Sequence, residues 1–133
     1  MTADTSVVVP ALSRWHRHYE AAAQALDGIT ALPAHVLAEC YSVLTRLPGG
    51  LAVPPEAAAT VLTSRFGDAP LLLSAADRGT LLSTLAAAGV GAGATYDGLV
   101  ALEARAHGRV LLSRDSRAQD TYRRLGVAFR AVG

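Results

Sequence analysis

The sequence predicts an α/β protein: a three-layer α/β/α domain on a mainly parallel five-stranded sheet. Three observations carry this. Short apolar runs alternate with longer segments of helical periodicity, the pattern of strands joined by crossover helices. Two of the runs, Leu71-Leu72-Leu73 and Val110-Leu111-Leu112, are apolar on both faces, as interior parallel strands are. A chain of 133 residues that is 51% hydrophobic supplies one core, so a single domain is expected over residues 1–133.

Residues 1–3 open a first strand, which the β-branched Thr5, Val7, Val8 and Val9 continue until Pro10 ends ladder donation. Ser13 is placed to cap a helix over residues 14–26, closed by Asp27-Gly28. Residues 29–32 form a short second strand. Pro33 then stands where a helix favours its first residue. Val36, Leu37, Cys40, Leu44 and Leu47 make the apolar stripe of that helix. Pro55 opens a further helix to residue 66. Residues 71–73 are the third strand, and residues 74–88 are helical. After the glycine-rich break at residues 89–93, Thr95 caps a helix over residues 96–107 that Gly108 stops. Residues 110–112 are the fourth strand, 116–125 a helix and 127–132 the last strand. Right-handed crossovers follow from strand twist.

Composition narrows the chemistry. All twelve basic residues are arginine, and lysine and asparagine are absent. The missing lysine excludes a P-loop, a Schiff base, a receiver domain and a haloacid-dehalogenase-type phosphatase. Eleven acids leave a net charge of +1, which argues no wholesale nucleic-acid binder yet permits a local basic patch. The single Cys40 excludes an intramolecular disulfide and any cysteine-based zinc site. No apolar run reaches the roughly 18 residues of a membrane span. The first residues lack a basic region before Asp4, so no signal peptide is expected and a cytoplasmic protein is.

The acids are few, and four fall in notable places. Asp4 sits at the first strand, between Ala3 and the β-branched stretch, and Asp115 lies just past the fourth; placed in strand C-terminal regions of a parallel sheet, both lie on the edge where sites form. Asp97 lies in the first turn of its helix, on that same edge. Glu39 falls at about −60° from Val36 on the helical wheel, bordering the buried face. Each has a structural reading: Asp97 faces a helix dipole, Asp115 caps a helix, Asp4 satisfies turn amides and Glu39 is solvated. Together they are costly. Two carboxylates about 4 Å apart repel by about 4 kcal/mol at an effective dielectric near 20. Such a cluster needs shared protons or a hard cation, and carboxylates with water suit Mg²⁺ or Mn²⁺.

These residues carry a resemblance. Asp4-Thr5-Ser6-Val7-Val8-Val9 resembles the opening motif of PIN-domain nucleases. Ala38-Glu39 within residues 33–47 resembles their helical glutamate segment. Residues 91–101, with Tyr96-Asp97, resemble their glycine-rich turn and apolar helix. Leu111-Leu112-Ser113-Arg114-Asp115 resembles their strand end, and Tyr122 with Leu125-Gly126-Val127 fits their last helix and strand. The set spans the chain in order and is similar to the VapC toxins of bacterial VapBC toxin–antitoxin pairs. Gly98 and Ser113 stand where alanine and threonine are commoner in that family.

The resemblance implies a Mg²⁺- or Mn²⁺-dependent endoribonuclease. Asp4, Asp97 and Asp115 would hold the metal, Glu39 would act from the outer sphere, and Ser6 would support the first aspartate. It also implies a VapB-type antitoxin as partner and a homodimer. Arg14, Arg46, Arg114 and Arg117 are the candidate RNA contacts near the site edge, each also readable as solvated surface. Two other readings stay open: a catalytically silent PIN-like binding module, and a flap-type DNA nuclease relative, for whose helical arch the chain is short. Residues 89–94 formally fit a dinucleotide-binding glycine pattern, but that pattern needs a preceding strand and a helix is expected there. His16 and His18, on a helix, would point about 200° apart and share no ligand. Cys40 lies on the apolar stripe and reads as core. With four acids assigned to one crevice, twelve arginines face seven other acids, so the remaining surface is the more basic.

Overall fold

The computed structural model describes residues 1–133. The elements run β1 (Thr2–Ala3), α1 (Thr5–Ala11), α2 (Tyr19–Ala25), α3 (Ala34–Thr45), α4 (Pro55–Arg65), α5 (Ala75–Gly79), α6 (Leu81–Ala87), α7 (Ala94–Ala106), β2 (Leu111–Ser113), α8 (Ser116–Arg124) and β3 (Phe129–Ala131). The three strands are parallel in the order β1-β2-β3, with Ala3 opposite Leu112 and Leu112 opposite Arg130. The α/β class with a parallel sheet is as the sequence predicts.

The five-stranded count is corrected to three strands. The stretches at residues 29–32 and 71–73 meet only through one parallel bridge, Pro33 to Leu71. On the outer edge of β1, the Thr2 hydroxyl donates to the Ala31 carbonyl at 2.9 Å, a side-chain tie where a further ladder was expected. Pro33, lacking an N–H, cannot extend the ladder at that point.

A second correction changes the site. Residues 5–9, read as strand, form the helix α1. Asp4 is its N-cap, accepting from the Ser6 amide at 3.0 Å, while the Asp4 carbonyl takes the Val7 and Val8 amides. The β-branched Val7, Val8 and Val9 cost little in a helix, and all three are buried. Burial therefore decides against their strand propensity. The helix expected over residues 14–26 is confined to α2. Residues 13–18 turn instead: Ser13 donates back to the Val9 carbonyl at 2.7 Å rather than capping, and His16 Nδ1 accepts from the His18 amide.

The helix expected over residues 74–88 breaks at Thr80 into α5 and α6. Gly93, not Thr95, stands at the N-cap of α7. Residues 98–104 of α7 are all buried, which makes it the central helix. It packs against α3, α6 and α8, and one continuous core joins α1, α3, α4, α6, α7, α8 and the sheet. Cys40 is fully buried within it; burial pushes its thiol up to about 12. A helix, not a strand, precedes the glycines at residues 89–93, so no dinucleotide fold surrounds them. No helix is long and apolar enough to cross a membrane.

Candidate active site

Parallel pairing brings the C-terminal ends of β1 and β2 side by side: the Asp4 amide donates to the Leu112 carbonyl at 3.0 Å. Each strand ends on an aspartate that caps the following helix. Asp115 Oδ1 accepts from the Arg117 and Ala118 amides at 2.9 and 3.3 Å, as Asp4 Oδ1 does from Ser6. Asp115 caps α8 as expected, the amide that Asp4 satisfies belongs to a helix start rather than a turn, and both side chains also line a cleft. Its volume is about 420 Å³, and its walls include Asp4, Ser6, Glu39, Asp97, Asp115 and Tyr122. Four separate stretches of chain thus contribute one carboxylate each.

The electrostatics reflect that crowding. Burial pushes Asp97 up to about 6, and the charges of Asp115, Glu39 and Asp4 add to it. Glu39 is raised by burial and then by Asp4. Asp4 is raised by burial, against the hydroxyls of Ser113, Ser6 and Tyr122. No arginine pairs with the group: Arg124 pairs with Asp120 at 3.2 Å, and the one basic side chain at ion-pair distance from a cleft carboxylate is His35, 3.4 Å from Glu39.

The donor set fits a hard divalent cation. Asp4 Oδ1 takes two donors from Ser6 and Oδ2 takes the Tyr122 hydroxyl, with the Ser113 hydroxyl also close to the carboxyl. Asp115 Oδ2 and both Asp97 oxygens accept from no protein group. The side chains line the cleft without converging: no three His, Cys, Asp or Glu side chains stand at ligand spacing around one point. Closing on an ion therefore needs a rotation, for which exposed Asp115 and half-buried Asp97 have room.

The PIN domain model matches residues 1–124. The chain belongs to the PIN domain family. Over 128 residues it is 48% identical to Ribonuclease VapC27 of Mycobacterium tuberculosis, covering 96% of this chain and 93% of that protein. It is 43% identical to Ribonuclease VapC40 of the same species over 129 residues, covering 97% and 96%. Among solved structures, FitAB bound to an IR36 DNA fragment superposes with a TM-score of 0.74 at 20% identity, covering 98% and 93%. VapBC2 of Rickettsia felis bound to a promoter DNA fragment gives 0.66 at 18%, covering 98% and 96%. At those identities the likeness speaks to fold.

In this PIN domain, Arg114 lines the cleft, whereas Arg14, Arg46 and Arg117 are exposed outside its wall. Ser6 does more than support Asp4: its hydroxyl donates to Asp4 and accepts the Arg114 amide at 2.7 Å, tying the two strand ends together. Sequence reasoning missed Tyr122 as a site residue, though it lies seven positions after Asp115, on the same helical face. It missed His16, which lines the cleft. The expected separation of His16 and His18 is corrected: the turn puts their rings 5.6 Å apart. His18 is held below the usual imidazole range by partial desolvation and then by Arg114, Arg17 and His16.

It also missed Glu103. This buried side chain of α7 accepts the His35 amide at 3.1 Å in the first turn of α3, which has no side-chain cap of its own. The His35 ring then stacks on exposed Tyr96 at 5.2 Å and faces Glu39.

Proposed function

We propose that residues 1–133 act as a single-domain, divalent-metal-dependent endoribonuclease toxin, held in check by a VapB-type antitoxin. One observation carries this: carboxylates from four stretches of chain line one cleft, and no arginine forms an ion pair with any of them. The ribonuclease names of relatives at 43–48% identity support RNA as substrate. Their VapC names support an antitoxin partner. Inhibition of translation through RNA cleavage, a homodimer and a cytoplasmic location belong to the same proposal.

Asp4, Asp97 and Asp115 would hold Mg²⁺ or Mn²⁺, which when bound supplies Lewis acidity toward a phosphodiester. Ser6 and Tyr122 hold the Asp4 carboxylate in the cleft wall. Glu39, its carboxyl raised by burial and by Asp4, is suited to accept and return a proton at its exposed oxygen.

The test is cleavage of total bacterial RNA with Mg²⁺ or Mn²⁺, with mapped product ends. Asp4→Asn is expected to lower the rate by about 10²–10³-fold with an unchanged circular dichroism spectrum. Unimpaired cleavage by that variant refutes the site. No cleavage of any RNA by the native chain, with no metal binding, assigns the cleft to a silent binding module.

A further inference from the structure

Arg114 is a cation that the acidic cleft does not use. It lines the same wall as Asp4, Asp97 and Asp115, yet forms no ion pair with them. Its Nε is buried and has no hydrogen-bond partner. No carboxylate or carbonyl of the chain pairs with the rest of the guanidinium either, so its charge is unspent and suits an anionic oxygen in the cleft. The root of the side chain is fixed, because Ser6 holds the Arg114 amide.

His16 lines the cleft beside it. Its Nδ1 accepts from the His18 amide, so the neutral ring carries its proton on Nε2 and can donate without being charged. Trp15 lies one ring further out, 5.6 Å from His16 and 53% exposed. Residues 5–19 contain no acid, and Arg14 and Arg17 flank these aromatic rings. A polyanion facing four carboxylates is repelled, so it needs a cationic rim beside the acidic floor.

We propose that the turn between α1 and α2 is a docking subsite for single-stranded RNA. The Arg114 guanidinium and His16 Nε2 take a phosphate flanking the one to be cut, and Trp15 stacks the adjoining base. Cations alone would also receive an acidic peptide. The exposed indole beside them favours a strand with unstacked bases. The inference rests on the ribonuclease reading for its substrate, but its test is binding.

The probes are a fluorescein-labelled ten-nucleotide RNA and the same ribose-phosphate strand without bases, read by anisotropy with Ca²⁺ at several salt concentrations. Trp15→Ala is expected to weaken the base-bearing strand by about 5–100-fold and leave the abasic strand unchanged, with Trp15→Phe retaining most affinity. Arg114→Gln is expected to weaken both strands alike and flatten the salt slope by about one. Equal effects of Trp15→Ala on both strands, no effect on either, or an unaltered salt slope in Arg114→Gln each overturn the proposal. So does poly-glutamate competing as well as RNA irrespective of Trp15. Binding that depends on Trp15 without cleavage of any RNA sinks the ribonuclease reading and leaves the subsite standing. Cleavage unaffected by Trp15→Ala, with unchanged binding, does the reverse.

Discussion

The phenol of Tyr122 donates a 2.7 Å hydrogen bond to Oδ2 of Asp4, joining residues 118 positions apart. Both groups are buried. The bond holds the carboxylate at the end of β1 from the second turn of α8, while Ser6 holds its other oxygen. Burial raises the Asp4 carboxyl and Tyr122 opposes that rise. Tyr122→Phe therefore raises the Asp4 pKa further and removes a hydrogen bond to a charged group. Unfolding in urea is expected to show a loss of about 1–2 kcal/mol. The acid limb of the pH–rate profile for RNA cleavage moves to higher pH, because Asp4 must ionise before it can hold a cation. A limb that stays in place while stability falls makes Tyr122 a packing residue only.

Asp97 makes the metal-free chain sensitive to pH in an unusual direction. Its carboxyl rises to about 6 in the fold, against an ordinary value of 3.8. Between those values the folded state holds the extra proton, so its stability falls as pH rises through the window and is level above it. With EDTA, Tm is expected to be higher at pH 5 than at pH 7.5, by an amount that Asp97→Asn largely removes. Mn²⁺ should raise Tm at pH 7.5 and less at pH 5, where protons compete for the same oxygens. Calorimetry at the two pH values checks both. An Asp97→Asn variant with the native pH dependence would show that the Asp97 carboxyl is not the group that burial and its neighbours raise.

Gly98 follows Asp97 in α7 and is packed closely. A Cβ there would stand 2.5 Å from Leu85 Cδ2 and 3.3 Å from Val90 Cγ1. Leu85 and Val90 are themselves buried, so neither side chain swings clear freely. Gly98→Ala gains about 1 kcal/mol of helix propensity and costs about 1–3 kcal/mol by overpacking, for a net loss near 1 kcal/mol. In a Leu85→Ala background the same substitution should be neutral or stabilising. Denaturant melts of the four-member cycle decide it. Equal effects in both backgrounds would mean that the helix absorbs the methyl group by shifting.

The class and most of the helices were legible because their signals are local. Paired prolines, glycine stops and the stripe through Val36, Cys40 and Leu44 act within one turn or one face. The misreading at α1 has a physical source. Three valines in a row favour strand, and only the cap at Asp4 with burial on three sides makes them helical. Pro33 and the Thr2 tie limited the sheet, and both are tertiary matters. The four carboxylates were legible through motif resemblance. Their partners were not, since Ser6 to Arg114 and Tyr122 to Asp4 each span more than a hundred residues. Glu103 did leave a trace: it is an acid inside the otherwise apolar stretch of residues 98–104, and a buried charge must be partnered.

That partner is the start of α3. The Glu103 carboxylate accepts the His35 amide at 3.1 Å, and the His35 ring faces Glu39 one turn later. Glu103→Ala leaves the amide unpaired at a helix N-terminus that no local side chain caps, at an expected cost of about 1–3 kcal/mol. Glu103→Gln keeps an acceptor and should retain most of that stability. Because α3 carries Glu39, the alanine variant is also expected to lower kcat for RNA cleavage with little change in KM, and the glutamine variant to restore it. Hydrogen exchange at the His35 amide gives an independent readout: protection falls in Glu103→Ala and returns in Glu103→Gln. Native protection in the alanine variant would show that α3 holds its first turn, and Glu39 with it, without help from α7.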